Sequence, residues 1–180
     1  MPTYISLLRG INVSGQKIVP MVDLKALFDK LGLKKAKTFI QSGNVVFESE
    51  VPAAELVSNI EQGIKKRFGF DVTVIVRTLA QLTKAVSASP YKQLKDGERV
   101  YISYLAESPS KEGVKALQAQ VSDKEEFTIG KTEVYILVRD GFGNSLFSNN
   151  FLEKKLGVRA TTRNMQSSEK LIALAAALEK

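Results

Sequence analysis

A short strand-like pattern occurs twice in this chain, and it limits the folds available more than any other feature. Tyr4-Ile5-Ser6-Leu7-Leu8 near the start is matched by Tyr101-Ile102-Ser103-Tyr104-Leu105 near the middle. A second pair agrees with the first. Gly69-Phe70-Asp71-Val72 leads through Arg77-Thr78 into a helix signal, and Gly157-Val158 leads through Arg163-Asn164 into another. Self-similarity of this kind is the mark of a repeated supersecondary unit.

The order of elements is the same in both parts. In the first, Tyr4–Leu8 reads as a strand, and Pro20 suits the opening turn of a helix with Met21, Leu24, Phe28 and Leu31 on one face. Thr38–Ile40 and Val45–Phe47 read as strands around a Ser42-Gly43-Asn44 turn. Pro52 opens a helix with Leu56, Ile60, Ile64 and Phe68, and a β-branched strand runs from Val72 to Val76. Thr78-Leu79-Ala80-Gln81 is a capping box for a short helix. The second part repeats this with a strand at Val100–Leu105, a helix after Pro109 and a hairpin of Phe127–Ile129 with Val134–Val138. Then come a helix at Asn150–Leu156 that Gly157 ends, a strand at Val158–Thr162, and a last amphipathic helix.

The resulting fold class is α+β: two ferredoxin-like (βαββαβ) halves related by internal duplication, with an added C-terminal helix. The expected boundaries are 1–86 for the first half, 87–98 for a linker and 99–180 for the second half with its helix. Two geometric expectations accompany this reading. Alternation puts Tyr4, Ser6 and Leu8, and likewise Tyr101, Ser103 and Leu105, on the sheet face away from the helices. The Ser42–Asn44 turn is expected at the end of the sheet opposite the exit of the first strand, out of reach of Arg9.

Composition removes several chemistries. The 180 residues include no histidine and no cysteine. That excludes imidazole acid–base work, His- or Cys-ligated metal sites, thiolate nucleophiles and disulfides. No cofactor or metal is implied. Hydrophobic runs are too short for a membrane span, and no signal peptide opens the chain, so a cytoplasmic setting is expected. Lys and Arg number 26 against 19 Asp and Glu, a net charge of +7. Such an excess favours acidic partners, although scattered lysines also suit helix C-termini.

Several stretches invite chemical readings. Gly10-Ile11-Asn12-Val13-Ser14-Gly15-Gln16-Lys17 approaches a phosphate loop, but Gln16 stands at the lysine position and Ile18 where Ser or Thr would hold magnesium. A looser anion site using Arg9, Asn12 and loop amides is left open beside a plain glycine turn. Val100-Tyr101-Ile102 is similar to the first-strand motif of RNA-recognition domains, yet the third strands offer only Phe47 and Tyr135 as aromatic partners. Asn164 and Thr78 suit helix caps, with Arg163 and Arg77 beside them, and Ser148-Asn149-Asn150 suits another.

Leu8-Arg9-Gly10-Ile11-Asn12-Val13, Ile40-Gln41-Ser42-Gly43-Asn44-Val45-Val46-Phe47, Phe151-Leu152-Glu153-Lys154-Lys155-Leu156-Gly157 and Ala160-Thr161-Thr162-Arg163-Asn164 together resemble an uncharacterised bacterial family, domain of unknown function 1697. The resemblance runs nearly end to end and implies an α+β fold of two similar halves, with no activity attached. Its motif positions here are Arg9, Gly10, Asn12, Ser42, Gly43, Asn44, Asn149, Thr162, Arg163 and Asn164. Ser14, Leu146 and Met165 depart from residues frequent in the family.

The functional expectation is non-catalytic binding of a phosphorylated small molecule or nucleic acid at polar strand-exit loops. Arg9 and Arg163 would supply charge, and Asn12, Asn44, Thr162 and Asn164 hydrogen bonds. The alternatives are an enzyme working without histidine or cysteine on a phosphorylated metabolite, or a protein-interaction module. Ligand identity and oligomeric state are not readable from the residues.

Overall fold

The structure is a computed structural model that describes residues 1–180. It is a mixed α/β protein with two four-stranded antiparallel sheets and six helices. The first sheet holds β1 (Thr3–Leu8), β2 (Lys34–Phe39), β3 (Asn44–Glu48) and β4 (Val74–Thr78), in the order β2-β3-β1-β4. Helices α1 (Met21–Lys30) and α2 (Ala53–Phe68) connect these strands, and α3 (Leu79–Ser87) follows them. The second sheet holds β5 (Arg99–Leu105), β6 (Glu125–Ile129), β7 (Glu133–Val138) and β8 (Ala160–Asn164), in the order β6-β7-β5-β8. Helices α4 (Lys111–Gln118) and α5 (Asn149–Leu156) connect these strands, α6 (Met165–Ala176) follows β8, and a short 3-10 turn spans Phe142–Asn144. Met1–Lys84 with Glu169–Lys180 makes one compact unit, and Ala85–Ser168 makes another.

Local chemistry sets the helix ends. Pro20 and Pro52 occupy the positions just before α1 and α2 with φ of −61° each, the angle their rings impose. The capping box at α3 is complete: Thr78 N–H donates to Gln81 Oε1 at 2.9 Å, and Gln81 N–H donates to Thr78 Oγ1 at 3.1 Å. Ser148 Oγ accepts from Phe151 N–H at 3.2 Å to start α5, and Asn164 Oδ1 accepts from Ser167 N–H at 2.7 Å to start α6. Gly113 sits in α4 for a different reason. A β-carbon there would lie 2.8 Å from the Leu156 carbonyl oxygen of α5, so the two backbones could not approach as they do.

The edge strand β2 starts earlier than expected, at Lys34. Its sequence Lys34-Lys35-Ala36-Lys37-Thr38-Phe39 is too polar to show a strand pattern, and its register against β3 shifts between Lys34 and Lys37. Lys35 is left-handed there, with φ of 50°. Lysines and an irregular register on an exposed edge discourage pairing with another chain.

The sheet faces are the reverse of the expectation. Tyr4 and Leu8 lie in one core with Val45, Phe47, Val74 and Val76, packed on Leu24 and Phe28 of α1 and Leu56, Ile60 and Ile64 of α2. Tyr4 therefore points at the helices, stacked on Phe47 with ring centres 5.9 Å apart. In the second unit Leu105, Val134, Ile136 and Ala160 pack on Leu117, Leu152 and Leu156, with Tyr101 against the same core. The physical reason is that all six residues of β1 are buried. With both faces apolar, alternation separates two sets of side chains without saying which set meets the helices.

The other face of the second sheet is also dry. Tyr104 is fully buried and donates to Ser168 Oγ at 2.8 Å, while Tyr135 donates to the Ala85 carbonyl at 2.6 Å. Burial pushes the Tyr104 phenol above its ordinary range. Burial, with a smaller contribution from the Glu133 charge, raises Tyr135 to about 12. Tyr104→Phe removes one neutral buried bond and is expected to lower unfolding stability by about 1 kcal/mol in urea titration, with no change in helix content.

Candidate functional site

Strands β1 and β2 both run antiparallel to β3, which lies between them. They are therefore parallel to each other, so the exit of β1 and the β2–β3 turn share one end of the sheet. This corrects the expectation that put them at opposite ends. Leu7 pairs with Asn44, and Leu8 N–H donates to the Gly43 carbonyl at 2.8 Å. Arg9 N–H donates to the Thr73 carbonyl at 2.9 Å, bringing the lead into β4 to the same place.

Asn12 holds this end together. Its Nδ2 donates to the Val19 carbonyl at 2.9 Å and to the Gln41 carbonyl at 2.8 Å, while its Oδ1 accepts from Val19 N–H at 2.8 Å. Both ends of its amide are thus committed to the loop. Asn44 is fully buried, and its Nδ2 donates to the Phe39 carbonyl and to Ser42 Oγ, each at 3.1 Å. Gly43 packs directly on Leu8 and Ile11: a β-carbon there would lie 2.8 Å from Leu8 Cβ and 2.7 Å from Ile11 Cδ1.

The segment that approaches a phosphate loop in sequence is a small hairpin instead. Asn12 N–H donates to the Lys17 carbonyl at 3.1 Å, and Val13 pairs with Gln16. Gly10, Asn12, Ser14, Gly15 and Lys17 all have positive φ, between 47° and 72°. Lys17 Nζ donates to the Asp71 carbonyl at 2.7 Å. Arg9 is half-buried at the strand exit.

Thr162, Arg163 and Asn164 lie in the second unit, at the end of β8 beside the start of β5. Successive residues of a strand face opposite ways, so Arg163 points away from the face that Thr162 and Asn164 share. Arg163 is 8% exposed and donates to Thr161 Oγ1 at 3.0 Å and to the Thr162 carbonyl at 2.9 Å. Burial pulls its guanidinium down to about 10, still cationic at neutral pH. Thr162 Oγ1 donates to Asn149 Oδ1 at 2.8 Å and lies 2.6 Å from Ser103 Oγ. The motif at the end of β8 is thereby tied to Asn149 at the start of α5. Nothing in the sequence pairs Ser103 and Phe142 with these positions; Phe142 stacks on Tyr101 with ring centres 4.4 Å apart.

Three concavities of 440 to 530 Å³ lie between α1 and α2, beside β2, and beside the β6–β7 edge. None of the six sequence-predicted site residues lines these three. No group of three or more His, Cys, Asp or Glu side chains is placed to hold a metal ion. No helix is long and apolar enough to cross a membrane.

Two antiparallel sheets of matching strand order, with polar motifs gathered at strand ends, define an α/β protein built from two sheet-and-helix units. The chain belongs to the family described as "Protein of unknown function (DUF1697)", whose sequence pattern it matches over residues 1–135. Among solved structures it is similar to a conserved bacterial protein from Streptococcus pneumoniae. That likeness has a TM-score of 0.78 at 22% identity and covers 97% of this chain and 98% of the other. At that identity the likeness speaks for the fold. No curated protein matches the chain.

Proposed function

We propose that the protein binds a phosphorylated small molecule, without catalysis, at the end of the first sheet where the β1 exit loop meets the β2–β3 turn. The observation that carries this reading is the joining of Arg9–Asn12 to Gln41–Asn44 through the Asn12 side chain. Left-handed residues recur along this loop, and turns of that kind can direct backbone N–H groups at an anion. Arg9 and Lys17 add positive charge there. In this reading Asn12 and Asn44 shape the loop, and Arg9 meets the ligand.

Nucleic acid is the less favoured ligand. Tyr4, at 7% exposure, and Tyr101 pack toward the helices, so neither offers a bare ring on which bases could stack. An enzyme is also less favoured. Two carboxylates beside the lead into β4 are engaged: Asp71 pairs with Lys65 at 3.0 Å, and Glu61 accepts from Val74 N–H. The shared strand order of the two units supports reading them as ferredoxin-like halves related by duplication, and the absence of cysteine suits a cytoplasmic setting.

Thermal-shift measurement with pyrophosphate and sugar phosphates, which carry no base, tests this. A ligand present at about a hundred times its Kd adds about 2.7 kcal/mol to the native state. The expected result is a rise in Tm with at least one phosphorylated compound and none with its dephosphorylated form. Arg9→Ala should abolish the rise. A flat response across the panel, or a rise that survives in Arg9→Ala, overturns the proposal.

A further inference from the structure

The second unit carries a cluster that the phosphate reading does not use. Tyr101 is paired directly with Asn164, and Ser103 with Thr162, so these four residues occupy one face at the start of β5. Asn149, the first residue of α5, reaches this face through its bond from Thr162. Phe142 closes the side by stacking on Tyr101 at 4.4 Å with its ring plane 24° away. Tyr101, Phe142, Asn149 and Thr162 are all partly exposed, and Asn164 is open to solvent.

Hydrogen bonding gives this cluster a polarity. A hydroxyl carries one proton. Thr162 gives its proton to Asn149 Oδ1, so Ser103 must donate to Thr162 across their 2.6 Å contact. The chain of donations Ser103 to Thr162 to Asn149 ends on the amide oxygen and leaves Asn149 Nδ2, on a partly exposed residue, outside it. Asn164 is fixed in the same sense, because its Oδ1 accepts from Ser167 N–H as the cap of α6. Its Nδ2 is therefore also the outward group. Two asparagine amides with oppositely chosen roles would cancel. Here both keep the acceptor inside and present donors, beside an aromatic pair.

We propose that this face binds a planar ring edged with carbonyl oxygens, of which a uracil-type base is the simplest case. The two outward amides meet the carbonyl edge, and the outer face of Phe142 carries the ring. Thr162 and Asn164 are two strand residues, about 7 Å, apart, and Asn149 is bonded to Thr162, so both amides belong to one short stretch of this face. A ligand edged with donors is disfavoured, because it would face NH₂ groups. The site is independent of the one proposed on the first sheet.

Isosteric reversal of polarity tests this without disturbing the fold. Asn149→Asp still accepts from Thr162, and Asn164→Asp still caps α6, since aspartate is as good a cap as asparagine. Only the outward donors become acceptors. The expected results by titration calorimetry are that the wild-type chain binds uridine more tightly than cytidine, which presents an amine on the same edge. The N149D/N164D variant should bind uridine at least tenfold more weakly, shift its preference toward cytidine and keep the wild-type Tm. Phe142→Ala should weaken both nucleosides, and Arg9→Ala should leave uridine binding unchanged. The proposal is overturned if wild type binds no uridine, if it prefers cytidine, if N149D/N164D keeps wild-type uridine affinity, or if inorganic phosphate alone displaces uridine.

Discussion

Gly43→Ala is expected to destabilise the first unit by about 3 kcal/mol, the sum of a left-handed backbone and an overpacked contact. Gly43 has φ of 86°, where an L side chain is strained. Its added carbon would also meet Leu8 Cβ at 2.8 Å and Ile11 Cδ1 at 2.7 Å. Leu8 Cβ is anchored to a central strand and cannot swing aside, so β1 or the turn must move. Gly15 provides the control, with φ of 72° and no atom within 4 Å of an added β-carbon. Gly15→Ala should cost about 1 kcal/mol, from the backbone alone. Urea unfolding of both variants separates the two contributions. Equal losses would mean that the close approach to Leu8 and Ile11 contributes nothing.

The second large effect is expected at Asn12. Asn12→Ala strips one donor-acceptor partner from Val19 N–H, the Val19 carbonyl and the Gln41 carbonyl at once. Partly buried groups left without partners should cost about 2–3 kcal/mol in total, less than three full penalties because water reaches the Gln41 side. Asn12→Gly loses the same bonds but relieves the positive φ of 54°, so it should be milder than alanine. Asn12→Asp keeps the Val19 N–H bond and sets a carboxylate against two carbonyl oxygens, so it should be at least as damaging as alanine. Limited trypsin digestion gives a local readout: cleavage after Lys17 should accelerate in the order Gly, Ala, Asp. Wild-type cleavage in Asn12→Ala would show that the loop is held by its backbone bonds alone.

These two residues also mark how much of the site is legible in the sequence. Gly43 and Asn12 stand out as turn residues because glycine and asparagine tolerate positive φ. That they touch the same end of one sheet follows from strand direction. One reversal separates β1 from β3 and another separates β3 from β2, so β1 and β2 leave at the same end. Thr162 and Arg163 show the converse. Adjacent in a polar motif, they diverge in the fold because a strand sends neighbours to opposite faces. The start of polar strand β2 is not legible in the sequence, because lysines on an exposed edge leave no apolar period.

Local rules sufficed for the starts of α1 and α2 at their prolines, for the Thr78–Gln81 box and the Ser148 and Asn164 caps, and for the order of strands along the chain. Those are contests among groups a few residues apart, and the side chains present decide them. Tertiary structure alone decided which face of β1 meets the helices, because Tyr4 and Ile5 are both apolar enough to be buried. It also decided that Asn12, Asn44 and Asn149 turn their amide oxygens or donors to particular partners. A side-chain amide offers a donor and an acceptor in nearly the same volume, and only the neighbours that folding brings to it choose between them.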